Sequence, residues 1–169
     1  MAKSDRFFIR AEVDPALATF EETTIDLGSF VNALSKDVLR IHSVECRYPQ
    51  PSINATGAAA LVTETWQLTT QPQLDIVPLT NRSLIASGKM TCAWETDITA
   101  GSGMPTLATQ ETDIGPQFWD DGYLVAVEQL YLGGLRSAPF APNAFEIVME
   151  CSSETMSQAA SMALALSQQ

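Results

Sequence analysis

A chain of 169 residues that is 46% hydrophobic can bury one core without a disulfide or a metal, which excludes wholesale disorder. A formal net charge of −11, with nine dispersed Lys and Arg residues, excludes a primary nucleic-acid binder, which needs a basic footprint to release counterions. Charged residues are only 17%, below the roughly 25% of average proteins, so Ser, Thr, Gln and Asn supply much of the polar surface.

Phe7, Ile9, Ala11 and Val13 alternate with Phe8, Arg10 and Glu12, which predicts a first strand ended by Asp14-Pro15. Thr23 to Val31 reads as a second strand, interrupted by Gly28-Ser29, with a helical turn over Phe30 to Lys36 as the alternative. Val38 to Tyr48 is a third. Leu39 and Ile41 share one parity and Val44, Cys46 and Tyr48 the other, so a β-bulge is expected near His42-Ser43. Pro49-Gln50-Pro51 stops it.

Ala58 to Thr70 is the fourth strand, with Val62, Trp66 and Leu68 on one face. Leu74 to Thr80, carrying Pro78, is a loop or an edge. Leu84 to Glu95 alternates cleanly as a half-buried strand. Residues 100–105 form a Gly-rich tip, and Thr106 to Thr112 is a weaker strand. Ile114 to Gly122 reads as a loop. Tyr123 to Leu132 is nearly all apolar, as a strand buried on both faces would be. Gly133-Gly134 is read as a turn, and Phe145 to Cys151 as the last strand. Thr155 with Gln158 fits a capping box, so one short apolar helix is expected over about 155–167, packed on its own sheet or on a neighbouring subunit.

Little chemistry stands out. His42 is the single imidazole, mid-strand and without a G-x-S-x-G motif, so it reads as structural rather than as part of a triad. Asp113, Asp120, Asp121 and Gly122 are either a calcium loop or ordinary turn chemistry. No cofactor or metal is expected. Cys46, Cys92 and Cys151 are far apart and odd in number. They read as buried free thiols, with a disulfide between two of them left open. Trp66 and Trp94 share parity with core residues, whereas Trp119, beside Phe118, is the better exposed anchor. The start carries too short an apolar run for a secretory signal, and no run approaches ~18 apolar residues, so cytosolic folding without a transmembrane segment is expected. The sequons at Asn54 and Asn81 are then chance matches.

These elements predict a single all-β domain over 1–169, an antiparallel sandwich of eight strands with one C-terminal helix. A jelly roll leads and an immunoglobulin-like sandwich follows. In size, strand number and acidic balance, residues 7–151 resemble the single jelly-roll capsid proteins of tailless icosahedral viruses, including acidic ones that infect archaea and bacteria. The resemblance implies a non-enzymatic, self-assembling coat subunit of a virion, folded in the host cytoplasm. Its partners would be copies of itself and other capsid proteins, without direct nucleic-acid binding. Phe118, Trp119, Tyr131, Met156, Leu164 and Leu166 are the interface candidates. Two alternatives stand beside it: a binding module (carbohydrate-binding domain or phage decoration or tail protein) and a small hydrolase using acidic residues, which would need a cleft holding a carboxylate of raised pKa.

Overall fold

In the computed structural model, which describes residues 4–31, 36–48, 60–96, 105–114, 118–137 and 144–168, alternation becomes strand almost wherever it was read. The order is β1 (Phe7–Val13), β2 (Glu21–Asp26), β3 (Asp37–Arg47), β4 (Ala60–Thr69), β5 (Leu84–Thr96), β6 (Pro105–Ile114), β7 (Phe118–Val125), β8 (Gln129–Arg136), β9 (Phe145–Thr155) and α1 (Gln158–Ser167). One sheet has the order β1-β9-β3-β7 and the other β2-β8-β4-β5-β6. Every pairing within them is antiparallel.

The pairings nest. The innermost is β4 with β5, then β3 with β7, β2 with β8, and outermost β1 with β9. One long hairpin folded over on itself makes this nest, and the added pairs β3–β9 and β4–β8 close it into two sheets. The nesting is compatible with the wrapping of a jelly roll, with β6 as one extra strand on β5.

The core lies between the sheets. Leu39, Ile41 and Val44 of β3 and Phe145, Ile147, Met149 and Cys151 of β9 face Ile25, Trp66, Leu68, Leu130 and Leu132. Trp66 sits at its centre, fully buried. Its cross-strand partners are Gly88 and Gly134. A Cβ at Gly88 would collide with the Tyr48 hydroxyl and lie 2.5 Å from Trp66 Nε1, so the indole occupies the space that a side chain would take. Trp66 Nε1 donates to the Tyr48 hydroxyl at 3.1 Å, which satisfies the one polar atom of a buried indole.

The bulge expected at His42-Ser43 is present: the β3 register shifts between Ile41 and Ser43 against both neighbours. Several expectations are corrected. The second strand ends at Asp26, because Asp26 Oδ1 accepts from the Gly28 amide at 2.8 Å and starts a turn. Residues 118–122 are strand rather than loop, and the apolar run over Tyr123–Leu132 is two strands, with a turn at residues 126–128. The described strands therefore number nine instead of eight. Gly133 and Gly134 do not turn the chain; they lie inside β8, where Phe20 covers one and Phe145 crowds the other. The helix cap is Ser157, whose side chain accepts from the Ala160 amide; Thr155 is the last residue of β9. The Pro49–Pro51 stop and the Gly-rich tip after residue 100 lie outside the described residues, as do the side chains of Cys92, Trp94 and Asp113.

Candidate functional site

The bulge builds a polar pocket on the outer face of the four-stranded sheet. Ile41 pairs with Tyr123 and Ser43 with Phe118, so a short step on β3 is met by a long one on β7, and residues 119–122 swing around His42. Gly122 takes φ +73 within that excursion, and a Cβ there would lie 2.6 Å from Arg40 Cγ. Glycine thus lets the Arg40 side chain lie flat across β7. Arg40 donates through Nε (3.0 Å) and Nη2 (2.6 Å) to the two carboxylate oxygens of Glu154, and through Nη1 to the Asp121 carbonyl. This two-pronged hydrogen bonding holds the guanidinium pKa above its ordinary value.

Arg6, Arg40, His42, Asp120 and Asp121 line the pocket, which holds about 420 Å³. His42 Nε2 lies 2.9 Å from Ser152 Oγ. That pair has the composition of a Ser–His dyad, but Ser152 is 3% exposed, so a substrate cannot reach its oxygen. The pair works as a structural hydrogen bond across the bulge. Among the described residues, no group of three or more His, Cys, Asp or Glu side chains is placed to hold a metal ion. Phe118, in register with Ser43 beside the bulge, is 76% exposed.

The structure separates the interface candidates. Phe118 and Leu166 (69% exposed) are on the surface. Trp119 is not the exposed loop anchor expected; it lies in β7, packs against the core and meets Tyr123 at 5.6 Å between ring centroids. Tyr131, half-buried, donates its hydroxyl to Gln129 Oε1. Met156 joins β9 to α1 and donates its amide to the Lys36 carbonyl. Leu164 is half-buried in a recess with Arg82, Tyr123 and Gln168. Leu164 and Leu166 share α1 but not a face: Leu166 lies four residues from Met162 (52% exposed) on the outer side, and Phe118 and Tyr131 belong to different sheets.

The mooring of α1 was not foreseen. Gln168, buried, accepts from the Ala126 amide at 3.0 Å, donates to the Leu124 carbonyl at 2.6 Å, and accepts from Thr70 Oγ1 through its own carbonyl at 2.7 Å. Within the helix Ser161 is the buried residue. The helix is therefore fixed by a polar end and keeps apolar side chains outward.

A second polar group was also missed. Glu64 is fully buried, and neither carboxylate oxygen has a hydrogen-bond partner among the described residues. It shares the core-facing parity of Val62, Trp66 and Leu68, which was its sequence signal. Burial pushes its pKa up to about 7, against the pull of Arg136. Cys46 and Cys151 are free. Burial first, then the charge of Glu64, raises the Cys46 thiol; burial and Glu150 push Cys151 up to about 12, so neither is a ready nucleophile. No described helix is long and apolar enough to cross a membrane. The chain matches no protein-family model and no curated protein.

Proposed function

We propose that this chain is a self-assembling structural subunit of a shell, with a viral coat as the leading case. The observation that carries the reading is the mounting of α1. A helix held by its polar end, with no acidic residue in its first turn and no basic one in its last, presents Met162 and Leu166 to solvent. An isolated helix of this length is marginal in water, and an apolar face kept outward invites a partner surface. The nested, jelly-roll-like wrapping supports the same reading by analogy of fold. Light scattering coupled to size exclusion, followed by negative-stain imaging, tests it across salt and concentration. Rings, shells or tubes that are lost when Met162 and Leu166 are both changed to Ser support the proposal. A monomer at every condition rejects it for the chain acting alone.

One observation favours a second reading, a binding module. The exposed Phe118 pairs with Ser43, the neighbour on β3 of His42, which lines the polar pocket with Arg6, Arg40, Asp120 and Asp121. An aromatic face beside mixed donors and acceptors suits a saccharide, whose CH face stacks while its hydroxyls hydrogen-bond. Phe118→Ala separates the readings: under this one it abolishes binding in a glycan screen and leaves the oligomeric state unchanged.

A further inference from the structure

The least explained group in the core is Glu64, and its setting gives it a role independent of the assembly reading. On the core face of β4 it is in register with Arg136 of β8, so the two side chains leave adjacent strands on the same side. Arg136 is 6% exposed and pairs through Nη2 with Asp14, whose side chain is 57% exposed. Arg136 also organises the β1–β2 connection through its backbone: its carbonyl accepts from the Ala18 amide at 2.9 Å, and Leu17 forms a β-bridge with it. Ala18 is held at φ 53, a conformation that L residues adopt at a cost. One guanidinium thus stands between a buried carboxyl and an exposed carboxylate that fastens a strained loop.

The two carboxyl groups do not compete equally. Water can solvate Asp14 when it loses a partner, so the exposed pair is worth little. Glu64 is fully buried and has no hydrogen-bond donor among the described residues, and a lone buried charge is far more costly. Among the described residues, the other titratable groups on this side are Cys46 of β3, which feels the charge of Glu64, and Tyr48, which is bonded to the neighbouring Trp66. Tyr48 already accepts from Trp66, and Cys46 is neutral, so among the described residues Arg136 is the cation placed to answer a charge on Glu64.

We propose that Arg136 is a proton-controlled latch: it fastens the loop over residues 14–20 through Asp14 while Glu64 is neutral, and turns inward to Glu64 when that carboxyl loses its proton. The Glu64 O–H bond breaks, its proton goes to solvent and the electron pair stays on the carboxylate; no other covalent bond changes. The loop then keeps its backbone tie at Ala18 but loses its ionic one, and opens more often.

Hydrogen exchange of the Ala18 amide, corrected for the intrinsic rate, reads the latch on the full chain from about pH 5 to about pH 9. Wild-type protection is expected to fall about threefold, with a midpoint near neutrality. Glu64→Gln should hold the high value throughout. Asp14→Asn should hold the low value throughout. A flat wild-type profile, or the same midpoint in Glu64→Gln, overturns the proposal. If Glu64→Gln fails to fold, the ¹³C carboxyl shift of Glu64 and the side-chain nitrogen shifts of Arg136 in wild type decide instead. They must titrate together, and a Glu64 that titrates in the ordinary carboxylate range, or an Arg136 that does not respond, sinks the idea.

Discussion

At Gly88 the constraint is steric rather than conformational, because the space beyond its Cα belongs to Trp66 and the Tyr48 hydroxyl. Gly88→Ala is expected to cost about 1–3 kcal/mol by overpacking, with loss of the Trp66–Tyr48 hydrogen bond. Chemical denaturation gives the cost, and a shift in tryptophan emission reports the displaced indole. Glu64 is the second residue-scale lever, and its sign follows from where the proton is held. The folded chain keeps that proton up to about pH 7, whereas the ordinary value is 4.5. Stability from this group is therefore complete below pH 4.5, falls as pH rises to about 7, and is level beyond. At about 1.36 kcal/mol per unit the loss is of order 3 kcal/mol. Glu64→Gln should flatten that slope and raise the melting temperature at pH 8 relative to wild type. A variant whose stability still declines between those values would assign the slope to other groups.

Among the elements, α1 depends on Gln168 more than on its own sequence. Gln168→Ala leaves the Ala126 amide and the Leu124 carbonyl without their side-chain partner in a buried place. The expected cost is about 1–3 kcal/mol for each group left unsatisfied. Amide exchange should speed up along residues 158–167 while β3 and β9 stay protected; unchanged exchange in the helix would mean that its apolar contacts hold it. A polar anchor of this kind is not legible in sequence, because a terminal glutamine after an apolar run carries no periodic signal. The strands were legible where one face is core and the other solvent, as in β3 and β9, and the parity change in β3 located the bulge at His42. The boundary between β7 and β8 was not, because Tyr123–Leu132 is apolar throughout and periodicity marks no turn inside such a run. Asp120-Asp121-Gly122 has turn composition, yet β3 holds it in a strand by using Gly122 as room for Arg40. Glu64 was overlooked for the opposite reason: its parity was plain, but a carboxylate is ordinarily assigned to the solvent face. The nesting of the strands depends on pairs as distant as Phe7 with Cys151, which no local window contains.

For the molecule as a whole, charge and apolar exposure pull association in opposite directions. Each copy carries a formal charge of −11, so two copies repel, and the repulsion is long-ranged at low salt. The Debye length shrinks from about 30 Å at 0.01 M to about 8 Å at 0.15 M. The apolar contact offered by Met162 and Leu166 is not weakened by that change. Assembly through α1 should therefore strengthen as salt rises, and as pH falls toward the sequence pI of about 4.3. An interface built instead on ion pairs between copies, drawing on charged groups such as Arg6, Arg47, Glu146 and Glu150 that pair within the chain, would behave in the reverse way with salt, since exposed ion pairs are screened. Light scattering over a salt series decides between them, with the Met162→Ser, Leu166→Ser double variant as control. Rising mass with salt in wild type, absent from the variant, places the contact on the helix. Falling mass with salt moves it to the charged outer face of the four-stranded sheet and removes α1 from the assembly.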